Sequence, residues 1–402
     1  MTAGSTTSPT SVLSNFRFVD LQTGRVEPHC SLTVENGVIS RFEDTPSHLS
    51  EARDLGGLYL LPGLISVHAH LGGVYPFERR SQAEPATSVL VRAEIRARQA
   101  LSAGITTLRT MHEQSRADIA LKTASRERPL LIPRILAAGK ALTAKGGHGD
   151  GLGCVVAEGP DAFEHAAHAE LSAGADHVKI FLTGGLARDA EELKTTQLTD
   201  DEIRACVKAA HTHDTYVVAH TASGDAIRAG IACGVRWFEH AYSLDRDTAS
   251  LLSKHAAVLT PTLTVTHCAD WLHDQGFESR SIARSEAARE EHETSIANAI
   301  RAGVAVVNGT DFPPGDLSDG TSLVVREMEL LVNAGLSPLE SLRASTWTAA
   351  KALQLTTTGL VAPGYDADLI GVGRDPTDDI TAMRDIRFIA RRGTLVRASH
   401  RL

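Results

Sequence analysis

Six residues in this chain could do metal chemistry if the fold brought them together. They are His68 and His70 in GLISVHAHLGG, Lys179 in HVKIFLTGG, His220 in YVVAHTASG, His240 in VRWFEHAYS and Asp311 in VAVVNGTDFPPG. Residues i and i+2 of a strand face the same side, so His68 and His70 share a face. Two imidazoles on one face can grip one ion. Each of the other four is a lone polar group in an apolar run, and buried polar groups demand partners. Six such groups converging on one mouth would satisfy one another through metal. Taken singly, each has a structural alternative. A strand histidine can be a hydrogen-bonded core residue, Lys179 can snorkel, and Asp311 can cap the turn at Pro313-Pro314.

The elements that carry these residues follow a repeating phrase. A helical segment ends in a small residue plus glycine, and a short apolar run follows. The phrase occurs at Ala103-Gly104, Ala173-Gly174, Cys233-Gly234 and Ala302-Gly303. Glycine just past a helix end is the preferred cap, and short apolar runs suit fully buried parallel strands. The spacing predicts helices over 88–103, 160–173, 199–213, 223–233 and 285–302. It predicts eight strands over 64–70, 105–111, 134–140, 177–183, 216–221, 237–241, 257–263 and 304–310. Eight strands alternating with helices predict an α/β fold, a (β/α)8 TIM barrel, whose site residues sit at the carboxyl ends of the strands. An open doubly wound sheet is the alternative, but no GxGxxG follows the first strand.

Both ends of the chain read differently. Short β-type runs there are separated by turns, with hairpins expected at Asn36-Gly37 and Arg392-Gly393. A small β-sandwich domain from both termini is predicted over 1–62 plus 355–402, with the barrel over 63–354. The opening MTAGSTTSPTSVLSNF is polar, lacks the apolar core of a signal peptide, and is read as a short disordered lead.

Bulk properties narrow the function classes. The 402 residues are 42% hydrophobic and 22% charged, with net charge −9, a globular balance. No basic run suggests nucleic acid, and no apolar stretch is long enough for a membrane. Five dispersed cysteines, with no CxxC pair, fit reduced thiols in a cytoplasm. Most of the 18 histidines, such as His165, His168, His211 and His213, are expected on helix surfaces.

The set HAH, Lys, His, His and Asp, in this order, resembles the amidohydrolase superfamily over nearly the whole chain. VAPGYDADLIGV at 361–372 resembles that family's return from barrel to sandwich. The resemblance implies a binuclear centre of two divalent ions, zinc in the first instance. His68, His70 and Asp311 would hold one ion and His220 and His240 the other, bridged by a carboxylated Lys179. A free ammonium cannot ligate a cation, whereas a carbamate offers two anionic oxygens. A hydroxide bridging two ions is a nucleophile near neutral pH, and Asp311 would act as the catalytic proton carrier.

Two further motifs, GGHGD at 146–150 and VKIFLTGG at 178–185, resemble the branch of Xaa-Pro dipeptidases, N-acyl amino acid hydrolases and ochratoxin hydrolases. That resemblance puts His148 at the substrate, in a loop that Gly146, Gly147 and Gly149 are expected to make flexible, and Arg188, in the loop after strand four, is a further candidate contact. Lys145, His148 and Arg188 are then candidate cations for a substrate carboxylate. The implied activity is hydrolysis of an amide, of dipeptide or N-acyl amino acid type. Ester, carbamate or cyclic-amide hydrolysis and deamination are the alternatives on the same fold, and a scaffold without metal is the non-catalytic one. Deaminases of the superfamily place a glutamate soon after the strand-five histidine, but His220 is followed by Thr221, Ala222 and Ser223. The branch's tyrosine in that region is also missing, and Thr110 stands where relatives have an aspartate after the arginine. The pocket wall is expected from the loop 264–284, with Trp271 and His267 packing the barrel rim. The expected partners are a small-molecule amide and further copies of the chain in a homo-oligomer.

Overall fold

The computed structural model describes residues 10–45, 51–79, 81, 83–128, 130–186 and 191–398. Strands β1 (Thr10–Val19), β2 (Val26–Glu35), β3 (Val38–Glu43), β4 (Arg53–Asp54) and β5 (Tyr59–Pro62) come first. The chain then runs through β6 (Leu64–Ala69), β7 (Ile105–Thr110), β8 (Arg134–Leu136), β9 (Leu142–Ala144), β10 (Val155–Ala157), β11 (Val178–Phe181), β12 (Val217–Ser223), β13 (Trp237–Ser243), β14 (Val258–Thr260) and β15 (Ala305–Val306). A short hairpin, β16 (Leu317–Ser318) and β17 (Thr321–Ser322), precedes the closing strands β18 (Leu369–Val372), β19 (Ile386–Arg391) and β20 (Thr394–Ala398).

The chain forms two compact units, one of Met1–Ile65, Leu101–Thr106 and Ser337–Leu402, the other of Ser66–Ala100 and Thr107–Leu336. In the first, strands from both termini join one sheet in the order β20-β19-β18-β5-β1-β2-β3, with β4 against β1. Both expected hairpins form. Glu35 pairs with Val38 across Asn36-Gly37, and Arg391 pairs with Thr394 across Arg392-Gly393. All four turn residues have positive φ, as a two-residue hairpin turn of the primed type requires. Thr10–Phe16 departs from the polar lead expected there. It pairs with β2 along its length and buries Leu13 and Phe16. Residues 1–9 lie outside the described residues.

The second unit is built on parallel strands. The ladder β10-β9-β11-β12-β13-β14-β15 forms one sheet, and β6-β7-β8 another. Backbone bonds close them into a barrel. Asp176 N donates to Ala137 O at 2.7 Å, joining the β8 end to the β11 start, and Val67 N donates to Asn308 O at 2.8 Å. Each of the eight expected strand segments contains a strand. Two more, β9 and β10, were not foreseen. They arise because the chain turns at Gly139 (φ 64°) and runs on beside β11.

Helix boundaries follow local chemistry. Thr199 and Glu202 form a capping box on the helix Asp200–His211, and Ser223 and Asp245 cap the next two helices. Each cap satisfies amide groups that the first turn leaves unpaired. The glycines of the repeated phrase (Gly104, Gly174, Gly234 and Gly303) all have positive φ, the conformation a helix-ending glycine supplies. The predicted helix over 285–302 is broken into Ser279–Ala287 and Arg289–Arg301.

One glycine sets the spacing of the site strands. A Cβ on Gly309 would lie 2.5 Å from Thr260 Cγ2 and 2.6 Å from His68 Cβ. The segment that follows β15 therefore passes β6 at backbone distance, which brings Asp311 to His68. Gly309→Ala is expected to cost about 1–3 kcal/mol by overpacking. Thermal unfolding should show a lower Tm and metal analysis a lower metal content. A variant unchanged in both would mean that the strands have room to spare.

Candidate metal centre and active site

At the carboxyl end of the barrel strands, the side chains of His68, His70, Lys179, His220, His240 and Asp311 line one cavity. Asp311 Oδ1 lies 2.8 Å from His68 Nε2 and 3.2 Å from His70 Nε2. Donor atoms of these three residues all fall within 4.8 Å of one another and could hold an ion. The rings of His220 and His240 sit 4.5 Å apart, and those of His68 and His240 5.1 Å apart.

Each of the four histidines commits one ring nitrogen to the protein. His68 Nδ1 pairs with Glu239 Oε2 at 2.5 Å, and His70 Nδ1 donates to His112 O at 3.1 Å. His220 Nε2 donates to Gly184 O at 3.1 Å, and His240 Nδ1 pairs with Thr262 Oγ1 at 2.7 Å. Engaging one nitrogen orients the ring and leaves the other to bind metal. Burial, and then neighbouring His148 for His220 and His220 for His240, pushes both imidazoles well below their usual pKa. They are neutral at physiological pH, the form that ligates.

Lys179 is fully enclosed, and its Nζ has no hydrogen-bond partner among the described residues. Burial lowers its pKa to about 8, with Glu239 and Asp311 opposing the shift. An unpartnered buried amine is costly, and lowering its pKa raises the fraction of free base. Burial alone would raise the Asp311 carboxyl, but His68 and His70 hold it well below the usual carboxylate range. An anionic carboxylate, neutral imidazoles and an orphaned amine fit a site for divalent cations.

The strand ends that aim these groups are contorted. His240, Ala241, Thr262 and Asp311 all have φ between 54° and 68°, which is costly for residues other than glycine. The helix Arg289–Arg301 secures the first two. His292 Nε2 donates to His240 O and Ser295 Oγ to Ala241 O. Burial takes His292 down to about 3, so its ring is a neutral donor.

The glycine motifs have a structural reason. A Cβ on Gly185 would strike the His148 ring, and a Cβ on Gly184 would lie 2.8 Å from Glu192 O. His148 stacks on His220 with ring centroids 4.5 Å apart, and its Nδ1 pairs with Glu191 Oε2 at 2.5 Å. GGHGD is a pinned loop rather than the flexible one expected. Gln197 Oε1 accepts from His148 N, and Thr143 Oγ1 donates to His148 O. Lys145 is exposed and does not line the cavity. Arg188 lies outside the described residues. Trp271 is buried against Phe312, and His267 pairs with Glu293.

Sequence reasoning passed over Glu239 and Arg109. Glu239 has no exposed surface; one oxygen meets His68 Nδ1 and the other accepts from Arg109 Nη2 at 2.8 Å. Arg109 also donates to Val67 O and lies 3.6 Å from the Trp237 ring centroid. Both are charged residues inside apolar strands, a signal for a buried pair.

The chain matches the sequence profile of the amidohydrolase family over residues 59–397. It is 25% identical to the ochratoxinase of Aspergillus niger over 360 residues, spanning 82% of this chain and 73% of that one. Its fold superposes on a crystal structure of a prolidase complexed with N-methylphosphonate-L-proline, with TM-score 0.88, 28% identity, and coverage of 97% of this chain and 100% of that chain. It also shares the fold of a Xaa-Pro dipeptidase with bound methionine in its active site, with TM-score 0.87, 24% identity, and coverage of 97% and 100%. The chain therefore belongs to the amidohydrolase family. It is a hydrolase acting on carbon–nitrogen bonds, in a family that is generally metal-dependent.

Removing one partner of a buried charge pair leaves an uncompensated charge, at about 3–5 kcal/mol. Arg109→Met should therefore lower Tm. Glu239→Gln should weaken metal binding roughly 10–100-fold by loosening His68, measured by competition with a chelating dye. Unaltered metal affinity in Glu239→Gln would sink the orienting role.

Proposed function

We propose that this protein is a binuclear metallohydrolase that cleaves an amide bond in a dipeptide or N-acyl amino acid. The observation that carries the reading is the convergence of four oriented histidines, Asp311 and the unpartnered Lys179 on one cavity. His68, His70 and Asp311 would hold one ion, His220 and His240 the other, with Lys179 carboxylated between them. Nitrogen and carboxylate donors favour zinc.

Bound ions would lower the pKa of water and polarise the substrate carbonyl. The chain's own part is proton transfer and orientation. Asp311 accepts a proton as the water oxygen bonds to the carbonyl carbon, then delivers it to the departing nitrogen as the C–N bond breaks. Glu239 and Arg109 keep His68 facing the site. His148, braced by Glu191, stands at the wall beside His220 and is suited to a substrate oxygen. Arg188 is a further substrate contact in this reading.

The same reading takes the terminal sheet as a β-sandwich, folded over a core that includes Phe16, Leu32, Leu60 and Phe388. It places the enzyme in the cytoplasm, in keeping with five cysteines dispersed through the sequence without a CxxC pair. None of the helices among the described residues is long and apolar enough to cross a membrane. A homo-oligomer is part of the proposal, supported by the exposed Val91 and Ile95, one turn apart on the helix Ala86–Ser102.

Lys179→Ala should lose most of its metal and its activity, and short carboxylic acids should restore part of both. Full metal and full turnover in that variant would end the two-ion reading. Asp311→Asn should lower kcat roughly 10²–10⁴-fold while keeping more of its metal than of its activity. An amide retains a ligating oxygen but cannot carry the proton. Parallel loss of metal and turnover would leave Asp311 a ligand only.

A further inference from the structure

The cavity wall opposite His148 is aromatic to a degree the chain's composition does not lead one to expect. The whole sequence holds 18 aromatic residues, 3 Trp, 5 Tyr and 10 Phe. A third of them, Tyr75, Phe77, Tyr242, Trp271, Phe277 and Phe312, belong to one cluster at the mouth. They come from four separated stretches (75–77, 242, 271–277 and 312), so the concentration is a product of the fold.

The cluster abuts the ligand set. Phe312 follows Asp311 directly, and the Tyr242 ring lies 5.4 Å from that of His240 at an interplanar angle of 14°. The rings brace one another. Trp271 stacks on Phe312 at 4.1 Å, Tyr75 meets Trp271 edge-on at 5.2 Å, and Phe77 meets Phe277 at 6.1 Å. Tyr75, Tyr242, Trp271 and Phe312 are already buried by their neighbours. Phe77 and Phe277 are only part-buried, and both line the cavity. Their remaining apolar surface is what a ligand could cover.

Charge points the same way. Among the described residues of the wall, histidines apart, the ionisable side chains of charged type are Lys179 and Asp311, and both belong to the ligand set.

We propose that this wall is a specificity subsite for an aromatic or bulky apolar group next to the scissile amide, with Phe77 and Phe277 as the residues that cover it. The proposal deepens the amide-hydrolase reading and rests on it for the reaction, but not for binding. The substrate class is an N-acyl amino acid or dipeptide bearing at least one such group, and small polar dipeptides are poor substrates.

Two measurements on the zinc-loaded enzyme test it. The first compares kcat/KM for N-acetylglycine, N-acetylphenylalanine, N-benzoylglycine and glycylglycine. The second measures binding of benzamide against acetamide by quenching of tryptophan fluorescence, with Trp271 lying directly behind Phe312. The better aromatic member should exceed its small counterpart on the order of 30- to 100-fold, the worth of burying one phenyl ring, about 2–3 kcal/mol. Phe277→Ala and Phe77→Ala should shrink that ratio at least several-fold, the ratio being taken within each variant so that a general loss of activity cancels. Preferential benzamide binding without turnover of any amide would uphold the subsite and refute the amide-hydrolase reading. Turnover with no aromatic preference in either measurement, or a preference untouched in both variants, would overturn the subsite.

Discussion

Glu239 is a carboxylate with no access to water, and the site depends on how its two oxygens are used. One faces Arg109 and the other faces His68. A buried carboxylate is tolerable only when paired and hydrogen-bonded. Burial would raise its pKa, but His68 and Arg109 hold it below the usual value. The pair thus keeps a negative charge behind the His68 ring and turns its Nε2 toward Asp311. Arg109 is fixed in turn by Val67 O and by the face of Trp237. One ion pair therefore links β6, β7 and β13 beneath the candidate metal site.

The backbone around the site works to the same end. A regular strand would send Glu239 and His240 to opposite faces. Left-handed φ at His240 and Ala241 breaks that alternation, and the helix behind holds their carbonyls. The segment after β15 does the same for Asp311, with Gly309 allowing the close approach. The result is a rigid polar floor beneath an apolar wall, a division suited to an enzyme that must fix a reacting bond and exclude water from it.

The ligand candidates were legible because apolar parallel strands make any polar residue conspicuous. His68, Lys179, His220, His240 and Asp311 each interrupt an otherwise hydrophobic run. Hairpins at Asn36-Gly37 and Arg392-Gly393 were legible because positive φ restricts residue choice. The short strands β9 and β10 were not. Their three-residue length carries no periodicity, and they form only because β11 offers an edge. The GGHGD loop looked flexible from its glycines, since the groups that pin it, Gln197 and Glu191, lie more than forty residues away.

Local sequence by itself determined the strand–helix alternation, the caps, the hairpins and which residues are candidates to bind metal. These depend on side-chain type and on neighbours within a few positions. Tertiary structure alone decided which ring nitrogen each histidine spends, that Glu239 and Arg109 form the buried pair, and that six scattered aromatics make one wall. Those outcomes rest on contacts between residues tens to hundreds of positions apart. Barrel closure sets such distances, and no local pattern records them.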